Sequence, residues 1–326
     1  MIITRTPLRI SIGGGGTDAP SFYKRRNGFV LSAAIDKYIY VAINPRFTPD
    51  YLLKYSALER VDDIDEIDHR IIREALHFLK VEPGIEIVTL ADIPAGTGLG
   101  SSGSFTVGLL RSLHAFRKTQ IDPGALAAQA CHIEIDRLGE PVGKQDQYIA
   151  SYGGFTAFDF FADGSVHATR LPLSDHTLHD LEDHLVLFFT GYSRSASSIL
   201  EDQHTRSQAD DETMLANLAE TMEIGREIHA ALLDGRPAEF GRLMDQHWKI
   251  KRERSAGMSN PSIDEWYDLA IANGALGGKL VGAGAGGFLL FYAPDTDRLR
   301  AAMAGAGLPE VRFSFDQDGS TVIVRG

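Results

Sequence analysis

The chain has 326 residues, with 44 acidic and 32 basic side chains and a formal net charge of −12. Its apolar share of 44% and charged share of 23% exclude disordered, collagen-like and low-complexity chains. The single cysteine, Cys131, excludes an internal disulfide framework and a Cys-rich zinc site, and the acidic balance argues against non-specific nucleic-acid binding.

The length predicts about two domains, which we place at residues 1–180 and 181–326. Arg5 and Arg9 interrupt the first ten residues, so this segment does not resemble a signal peptide. The longest uncharged run, 280–294, is glycine-rich and falls short of the ~20 apolar residues that span a membrane. We therefore expect a soluble, cytoplasmic protein without a membrane partner.

The first half of the chain mixes strand and helix signals. Alternating or β-branched residues predict strands, and apolar residues three or four apart predict helices. In chain order these are a strand at 2–12, one or two strands at 29–44, a helix at 65–80, a strand at 85–90, helices at 104–117 and 123–138, and strands near 154–160 and 185–190.

The second half is mainly helical before it returns to strands. The predicted order is helix over most of 195–254, a helix at 261–272, strands at 279–283 and 288–292, a helix at 296–303, and strands at 311–315 and 321–324. The two halves lack a regular βαβ alternation. We therefore predict an α+β architecture.

Glycine is unevenly distributed. Of the 33 glycines, 18 lie in four clusters, at 13–16, 96–103, 139–154 and 277–287. Any single glycine is explained by a tight turn or a helix cap, but four clusters between apolar segments indicate close approach of the backbone to something else.

The second cluster, 94–104 (PAGTGLGSSGS), leads into a predicted helix. A dinucleotide-binding loop would leave its strand directly, whereas here several residues including Pro94 intervene, and no P-loop pattern fits the chain. Small residues before a helix N-terminus let backbone N–H groups surround an anion. Ser101, Ser102 and Ser104 add hydroxyls for phosphate oxygens or a metal ion, so we predict a phosphate-binding loop.

Two carboxylates fit this prediction. Glu134 and Asp146 flank the turn 139–143 (GEPVG), which could bring them back to one site. Phosphoryl transfer needs a carboxylate for Mg²⁺ and often a second one near the attacking hydroxyl. Each of them alone is more often a solvated surface group.

Three motifs in this order resemble those of the GHMP sugar and isoprenoid kinases: 7–18 (PLRISIGGGGTD), 94–103 (PAGTGLGSSG) and 279–288 (KLVGAGAGGF). The GGGGTD form of the first, with 30–40 (VLSAAIDKYIY), is similar to the heptose 7-phosphate kinases of this family. The resemblance implies a two-domain α+β fold, with an N-terminal half like ribosomal protein S5 domain 2 and a ferredoxin-like C-terminal half. It also implies capsule-type synthesis of an α-1,7-bisphosphate for GDP-heptose.

The resemblance also implies the site. Asp146 and Arg9 would be catalytic, with Asp146 beside the acceptor hydroxyl and Arg9 polarising it, and Ser102 and Glu134 would hold Mg²⁺. The residues implied to bind ATP are Pro94, Gly96, Gly98, Leu99, Gly100, Ser101, Ser102 and Gly103. Those implied to bind the sugar are Gly14, Gly15, Gly16, Thr17, Asp18, Gly284 and Gly286.

A substrate phosphate would need further basic residues. Arg194 in 190–196 (TGYSRSA) is our first candidate, followed by Lys24, Arg25, Lys249 and Lys251, although each is more often a solvated charge. The expected partners are ATP and a sugar phosphate, with a homodimer as the candidate assembly.

Two other functions stay open at this point. One is a different sugar-1-kinase acting on fucose or an unphosphorylated hexose such as galactose. The other is a non-catalytic relative that binds ligands as a regulator. The complete set of Ser102, Glu134, Asp146 and Arg9 argues against the latter, because a retired site would tolerate the loss of any of them.

Overall fold

The computed structural model describes residues 1–191, 197–209, 211–255, 257–282, 284 and 286–326. Within these residues eight strands form one sheet and three strands form a second, antiparallel sheet. The first part of the chain contains β1 (Ile2–Gly13), α1 (Pro20–Arg26), β2 (Gly28–Pro45), β3 (Tyr51–Lys54), β4 (Leu58–Val61), a 3-10 turn (Ile64–Glu66), α2 (Arg70–Leu79), β5 (Ile85–Ala91), α3 (Ser101–Phe116), α4 (Pro123–Cys131), a π-helix (His132–Arg137), α5 (Gln145–Tyr152), β6 (Phe155–Phe160) and β7 (Val166–Arg170).

The second part is helix-rich and carries the smaller sheet. It contains α6 (Asp175–His184), β8 (Leu185–Phe189), α7 (Ser197–Gln208), α8 (Glu212–Leu233), α9 (Pro237–Glu253), α10 (Pro261–Ala272), β9 (Gly277–Val281), β10 (Phe288–Tyr292), α11 (Thr296–Gly305) and β11 (Thr321–Arg325). Strand β10 lies between β8 and β9. Strand β11 returns to the large sheet and pairs with β1, so the two ends of the chain meet in one sheet.

The long strand β2 organises the large sheet. It pairs with β1 along one side, and on the other side its first part pairs with β6 and its later part with β5. The register of β1 shifts between Pro7 and Leu8, where proline has no N–H to donate to the ladder. The unpaired residues at this shift, Asp36 and Lys37, belong to β2, and Arg9 is the second residue after it on β1.

Helices from both parts pack on this sheet and between the sheets. Helix α3 packs on β1 and β2, α8 packs on the same strands, and α9 packs on β9. The approach of α8 is close, since a Cβ on Gly13 would lie 2.7 Å from the Gly225 Cα atom. Small residues at this crossing therefore bring the second part of the chain against the glycine-rich end of β1.

Most of the predicted elements are confirmed, with shifted ends. Helix α3 begins at Ser101 rather than at 104, which places two of the loop serines in its first turn. The predicted helix 123–138 changes to a π-helix from His132 onward, and the helical region 195–254 divides into α7, α8 and α9. The α+β fold class is confirmed, whereas the domain boundary near residue 180 stays a prediction.

The strand predicted at 311–315 is wrong. Only isolated bridges form at its two ends: Glu310, just before it, pairs with Phe188 of the small sheet, and its last residue, Phe315, pairs with Ile35 of the large one. A segment that passes from one sheet to the other pairs with each over too short a length to form a ladder. Strands β3, β4 and β7 and helix α1 were not predicted. In the described residues, no helix is both long enough and apolar enough to cross a bilayer.

Candidate active site

The segment 94–103 forms a tight loop that ends at the N-terminus of α3. Gly96, Gly98 and Gly100 have φ angles of +76°, +86° and +76°, a region that side chains with a Cβ atom rarely adopt. Three of the five residues from Gly96 to Gly100 therefore have a left-handed backbone conformation, and the loop exposes its backbone rather than side chains to the cleft. A helix N-terminus at its end carries a partial positive charge, as an anion site requires.

Ser102 and Glu134 lie together beside this loop. The Ser102 hydroxyl donates to Glu134 Oε2 over 2.6 Å, and Gln147 Nε2 donates to Oε1 over 2.9 Å. Glu134 is 1% exposed, and burial raises the pKa of its carboxyl against the opposing effect of these hydrogen bonds. Its segment is a π-helix. Ser104 does not contribute, because its hydroxyl donates to the Pro7 carbonyl inside the protein.

Arg9 and Asp146 form an ion pair at the floor of the cleft. Arg9 Nε donates to Asp146 Oδ1 over 2.8 Å, and Arg9 Nη1 donates to the Gly98 carbonyl of the loop. The Arg9 side chain is 7% exposed and that of Asp146 is 28% exposed. The carboxylate therefore faces the cleft in a fixed orientation, next to the loop that we predict to hold phosphate.

The first glycine motif also lines the cleft. Asp18 is buried and accepts the backbone N–H groups of Gly16 and Gln145, which ties this loop to the start of α5. Burial raises its pKa, and the nearby Asp146 adds to the effect. Gly15, Gly16 and Asp18 line the cleft, whereas the Thr17 hydroxyl lies behind it and bonds the Gly14 and Phe29 carbonyls.

The third glycine motif closes the cleft against the phosphate loop. Gly282 packs so tightly on Gly98 that a Cβ on Gly98 would lie 2.5 Å from the Val281 carbonyl oxygen. Gly284 and Gly286 line the cleft, with φ angles of +124° and +152°. Arg194, predicted to bind a substrate phosphate, lies outside the described residues.

The predicted ATP residues divide into lining and supporting groups. Gly96, Gly98, Gly100, Ser101 and Ser102 line the cleft. Pro94, Leu99 and Gly103 do not line it. Leu99 is fully buried, and a Cβ on Gly103 would lie 2.7 Å from the Asp146 Cβ atom. Leu99 and Gly103 therefore position the loop and Asp146.

Three further buried cations and a histidine also line the cleft, and most of them were not predicted from the sequence. Lys251, Arg254 and Lys279 are at most 6% exposed, and His247 is 1% exposed. Only Lys251 was a candidate, ranked behind Arg194. His247, Lys251 and Arg254 recur at four- and three-residue intervals, which places them on one face of α9 and its end but does not indicate that this face is buried. In the sequence, the charged residues of 249–254 resemble a solvated helix end, so the segment does not indicate a buried face.

The site has two adjoining cavities. The first, of about 260 Å³, lies between the three glycine motifs. The second, of about 510 Å³, is lined by His69, Arg70, Ile71 and Glu134. Ser102 belongs to both walls. Two ligands could therefore meet at Ser102 and Glu134.

Comparison with known proteins links this cleft to a family. Residues 69–154 match the domain described as GHMP kinases N terminal domain, and residues 228–307 match GHMP kinases C terminal. A D-glycero-alpha-D-manno-heptose 7-phosphate kinase from Campylobacter jejuni is 30% identical over 98% of this chain and 97% of its own length. An L-fucokinase/L-fucose-1-P guanylyltransferase from Bacteroides fragilis is 28% identical over 95% of this chain but only 37% of its own.

Solved structures agree with this. A putative sugar kinase from Campylobacter jejuni has a TM-score of 0.77 at 27% identity, covering 98% of this chain and 97% of that one. A D-glycero-D-manno-heptose 1-phosphate kinase from Bacteroides thetaiotaomicron has a TM-score of 0.82 at 24% identity and covers all of both chains. At that identity the second likeness shows the fold alone.

Proposed function

The chain belongs to the GHMP kinase family of ATP-dependent kinases and is a sugar kinase, and on this premise we propose that it phosphorylates the anomeric hydroxyl of D-glycero-D-manno-heptose 7-phosphate. The product would be the α-1,7-bisphosphate. The heptose 7-phosphate kinase that matches 98% of the chain supports this substrate. The cytoplasmic location, the homodimer and a place in GDP-heptose and capsule synthesis stay predictions.

The observation that carries the proposal is the Arg9–Asp146 pair. Its 2.8 Å contact holds a partly exposed carboxylate beside Gly100, at the mouth of the phosphate loop. We assign Asp146 to orient the C1 hydroxyl and take its proton, and Arg9 to offset the charge of the carboxylate. The new bond joins the sugar O1 to the γ-phosphorus, the bond from that phosphorus to the β,γ-bridging oxygen breaks, and ADP leaves with that electron pair.

The donor and acceptor are assigned to different cavities. The sugar would occupy the cavity between the glycine motifs, where Asp18 and Asp146 face it, and the nucleoside of ATP would occupy the cavity beside His69 and Ile71. The phosphates would then cross Ser102 and the N-terminus of α3. Most of the rate acceleration would come from positioning and electrostatics.

Ser102 and Glu134 fit a magnesium ion. Both offer oxygen atoms, their 2.6 Å contact faces the junction of the cavities, and Mg²⁺ usually needs only one or two carboxylates besides substrate phosphates. Across the part of the chain that the structure describes, no group of three or more His, Cys, Asp or Glu side chains forms a separate metal site. When bound, Mg²⁺ would neutralise charge on the transferred phosphoryl group.

An ATP-consumption panel tests the proposal. Heptose 7-phosphate, unphosphorylated heptose, fucose and galactose are compared at equal concentration, and NMR assigns the phosphorylated carbon of the product. Turnover with heptose 7-phosphate at C1 is the expected result. Preference for fucose or galactose would identify a different sugar-1-kinase, and nucleotide binding without turnover of any sugar would favour a ligand-binding regulator.

A further inference from the structure

The buried cations of the sugar cavity are not explained by ATP binding alone. Lys251 is 6% exposed, Arg254 4% and Lys279 1%, and all three line the same cavity. They come from α9, the residue that ends it, and β9. In a chain with a net charge of −12, this concentration of buried positive charge is local and needs its own explanation.

Their hydrogen-bond partners are neutral. Lys251 donates to the carbonyls of Leu280 and Gly282, and Lys279 donates to the carbonyl of Ile12.

Arg254 has neutral partners too. It donates to Asn217 Oδ1 over 2.9 Å, to Thr221 Oγ1 over 2.8 Å and to the Gly15 carbonyl over 3.1 Å. Among the described residues, none of the three cations forms an ion pair with a carboxylate, although Arg9 nearby does so with Asp146.

This arrangement is unfavourable in the unliganded protein. Burying a charge without an ion-pair partner is costly even after relaxation, although the buried carboxylate of Asp18 in the same cavity partly offsets the charge of Arg254. The three cations also repel one another, and burial together with Arg254 and Arg9 lowers the pKa of Lys251 to about 7. Within the described part of the chain, neither ring nitrogen of His247, which lines the same cavity, has a hydrogen-bond partner. An anionic ligand in the cavity would supply the missing counter-charge and acceptors.

The position of Arg254 indicates which anion it would bind, the triphosphate of ATP or a phosphate on the sugar. The triphosphate site proposed above lies at the loop 96–103 and the α3 N-terminus, whereas Arg254 contacts the Gly15 carbonyl of the first glycine motif. A Cβ on Gly16 would lie 2.8 Å from Arg254 Nη1, so the guanidinium borders the wall assigned to the sugar.

We propose that Arg254, with Lys251 and Lys279, binds the phosphate that the acceptor sugar already carries and thereby selects phosphorylated over free sugars. This assignment rests on the proposed function. It assigns to Arg254, Lys251 and Lys279 the binding of the substrate phosphate, for which Arg194 was the first candidate. A buried Arg with fixed neighbours suits a phosphate because its planar fork is already oriented.

Kinetics of Arg254→Met test the assignment, with Arg252→Met as the matched control. Arg252 lies two residues earlier but is exposed and paired with Asp264 over 3.2 Å. Arg254→Met should lower the preference for heptose 7-phosphate over unphosphorylated heptose, as a ratio of kcat/KM values, on the order of 10- to 100-fold. The KM for ATP should stay within about threefold, and Arg252→Met should resemble the wild type.

A binding measurement guards against misfolding. With the phosphate loop filled by a saturating non-hydrolysable ATP analogue and Mg²⁺, millimolar inorganic phosphate should further raise the Tm of the wild type and of Arg252→Met, and should not raise that of Arg254→Met or Lys251→Met. The unliganded Tm of Lys251→Met should equal or exceed that of the wild type, because a buried unpaired charge has been removed. If Lys251 were purely structural, Lys251→Met would instead lower the unliganded Tm, and phosphate would still raise the Tm of the variant.

The outcomes separate this assignment from the proposed function. If Arg254→Met slows both sugars equally, the cations act on the transferred group, and the assignment is overturned while the sugar kinase stands. If no sugar phosphate is turned over but phosphate stabilises only the proteins that keep both Arg254 and Lys251, the proposed substrate is wrong and the anion site is supported. If phosphate stabilises all four proteins equally, the site is wrong.

Discussion

At the scale of single residues, the chemistry that we propose depends on how Asp146 is held. Arg9 fixes one oxygen through a 2.8 Å contact and is itself anchored to the Gly98 carbonyl, so the carboxylate, the arginine and the phosphate loop form one unit. The backbone N–H of Arg9 also donates to the Leu99 carbonyl over 3.0 Å. A movement of the loop would therefore displace the acceptor-side residues together with the donor.

Asp146→Asn keeps the shape of the pair and removes the charge and the basicity. We expect kcat to fall by roughly 10²- to 10⁴-fold, the usual contribution of a positioned base, while ATP still binds. Turnover by coupled assay and nucleotide affinity by calorimetry measure the two effects. Near-normal turnover would exclude Asp146 from the chemical step.

Glu134→Gln tests the metal assignment. The amide keeps an oxygen for the 2.6 Å contact from Ser102 but loses the charge that attracts a cation. We expect the Mg²⁺ concentration for half-maximal activity to rise at least about tenfold, with the Tm of the unliganded protein nearly unchanged. An unchanged Mg²⁺ dependence in a folded variant would remove Glu134 from the proposed metal site.

Lys251 predicts a pH dependence of stability. Its pKa is about 7 in the folded protein and near the model-peptide value of 10.5 in the unfolded chain. Between these values the unfolded state binds the extra proton, so the free energy of unfolding should rise as the pH increases from about 7. Below about pH 7 the full cost of the buried charge is present.

Comparison with Lys251→Met isolates this effect. The Tm of the unliganded wild type should increase relative to the variant between about pH 6.5 and about pH 9, because over this range Lys251 loses its buried charge and with it its repulsion of Lys279 and His247, which the variant lacks at every pH. Differential scanning fluorimetry in a low-phosphate buffer measures it. Parallel Tm profiles would contradict a depressed pKa at Lys251.

At the scale of elements, two glycine loops are interlocked through their backbones. Gly98 contacts Val281 and Gly282, so the phosphate loop is held by the strand end that carries the third motif. The π-helix His132–Arg137 is a second backbone irregularity near the cleft, and it contains Glu134, which accepts the hydrogen bond from Ser102. Both features place backbone irregularities at the point where we expect the ligands to meet.

Gly98→Ala should therefore be costly for two reasons. The φ angle of +86° strains an alanine, and its Cβ would lie 2.5 Å from the Val281 carbonyl oxygen. We expect a loss of at least about 2 kcal/mol of stability together with weaker ATP binding. Gly307→Ala is the control, because its φ is +80° with nothing within 4 Å, and it should cost only about 1 kcal/mol. Equal losses of Tm would mean that the contact with Val281 is unimportant.

At the scale of the whole molecule, the last strand closes the sheet begun by the first. Strand β11 pairs with Ile2–Arg5 of β1, and the Thr6 hydroxyl lies 2.8 Å from that of Ser320. The C-terminal segment thus supports the strand that carries Arg9, although it follows the small sheet in sequence.

Removal of residues 321–326 should destabilise the protein and lower activity together. β1 would lose one ladder and become an edge strand, and we expect a decrease of several degrees in Tm, at roughly 2–4 °C for each kcal/mol lost. Ile323→Thr serves as the control, since Ile323 is 48% exposed and should tolerate the change. A truncated protein with the wild-type Tm would show that β11 is dispensable.

The sequence by itself predicted the fold class, which is confirmed, and a glycine-rich loop in front of α3. The family resemblance implied that Arg9, Asp146, Ser102 and Glu134 belong to one site, and their binding and catalytic roles stay predictions. These features depend on short motifs in which consecutive glycines, serines and carboxylates sit at fixed places on a strand end or a helix start, and a turn brings Glu134 and Asp146 back together. Short glycine and serine motifs indicate the local backbone conformation directly. The family resemblance then indicates that these motifs belong to one site.

Only the tertiary structure decided which cations are buried and which segments bridge the sheets. Lys251, Arg254 and Lys279 resemble surface charges in sequence, because burial depends on what packs over them, and α9 and β9 meet only in the folded chain. The segment 311–315 has a strand-like composition but divides its pairing between two sheets. Both outcomes are set by contacts between residues distant in sequence, and no local propensity encodes them.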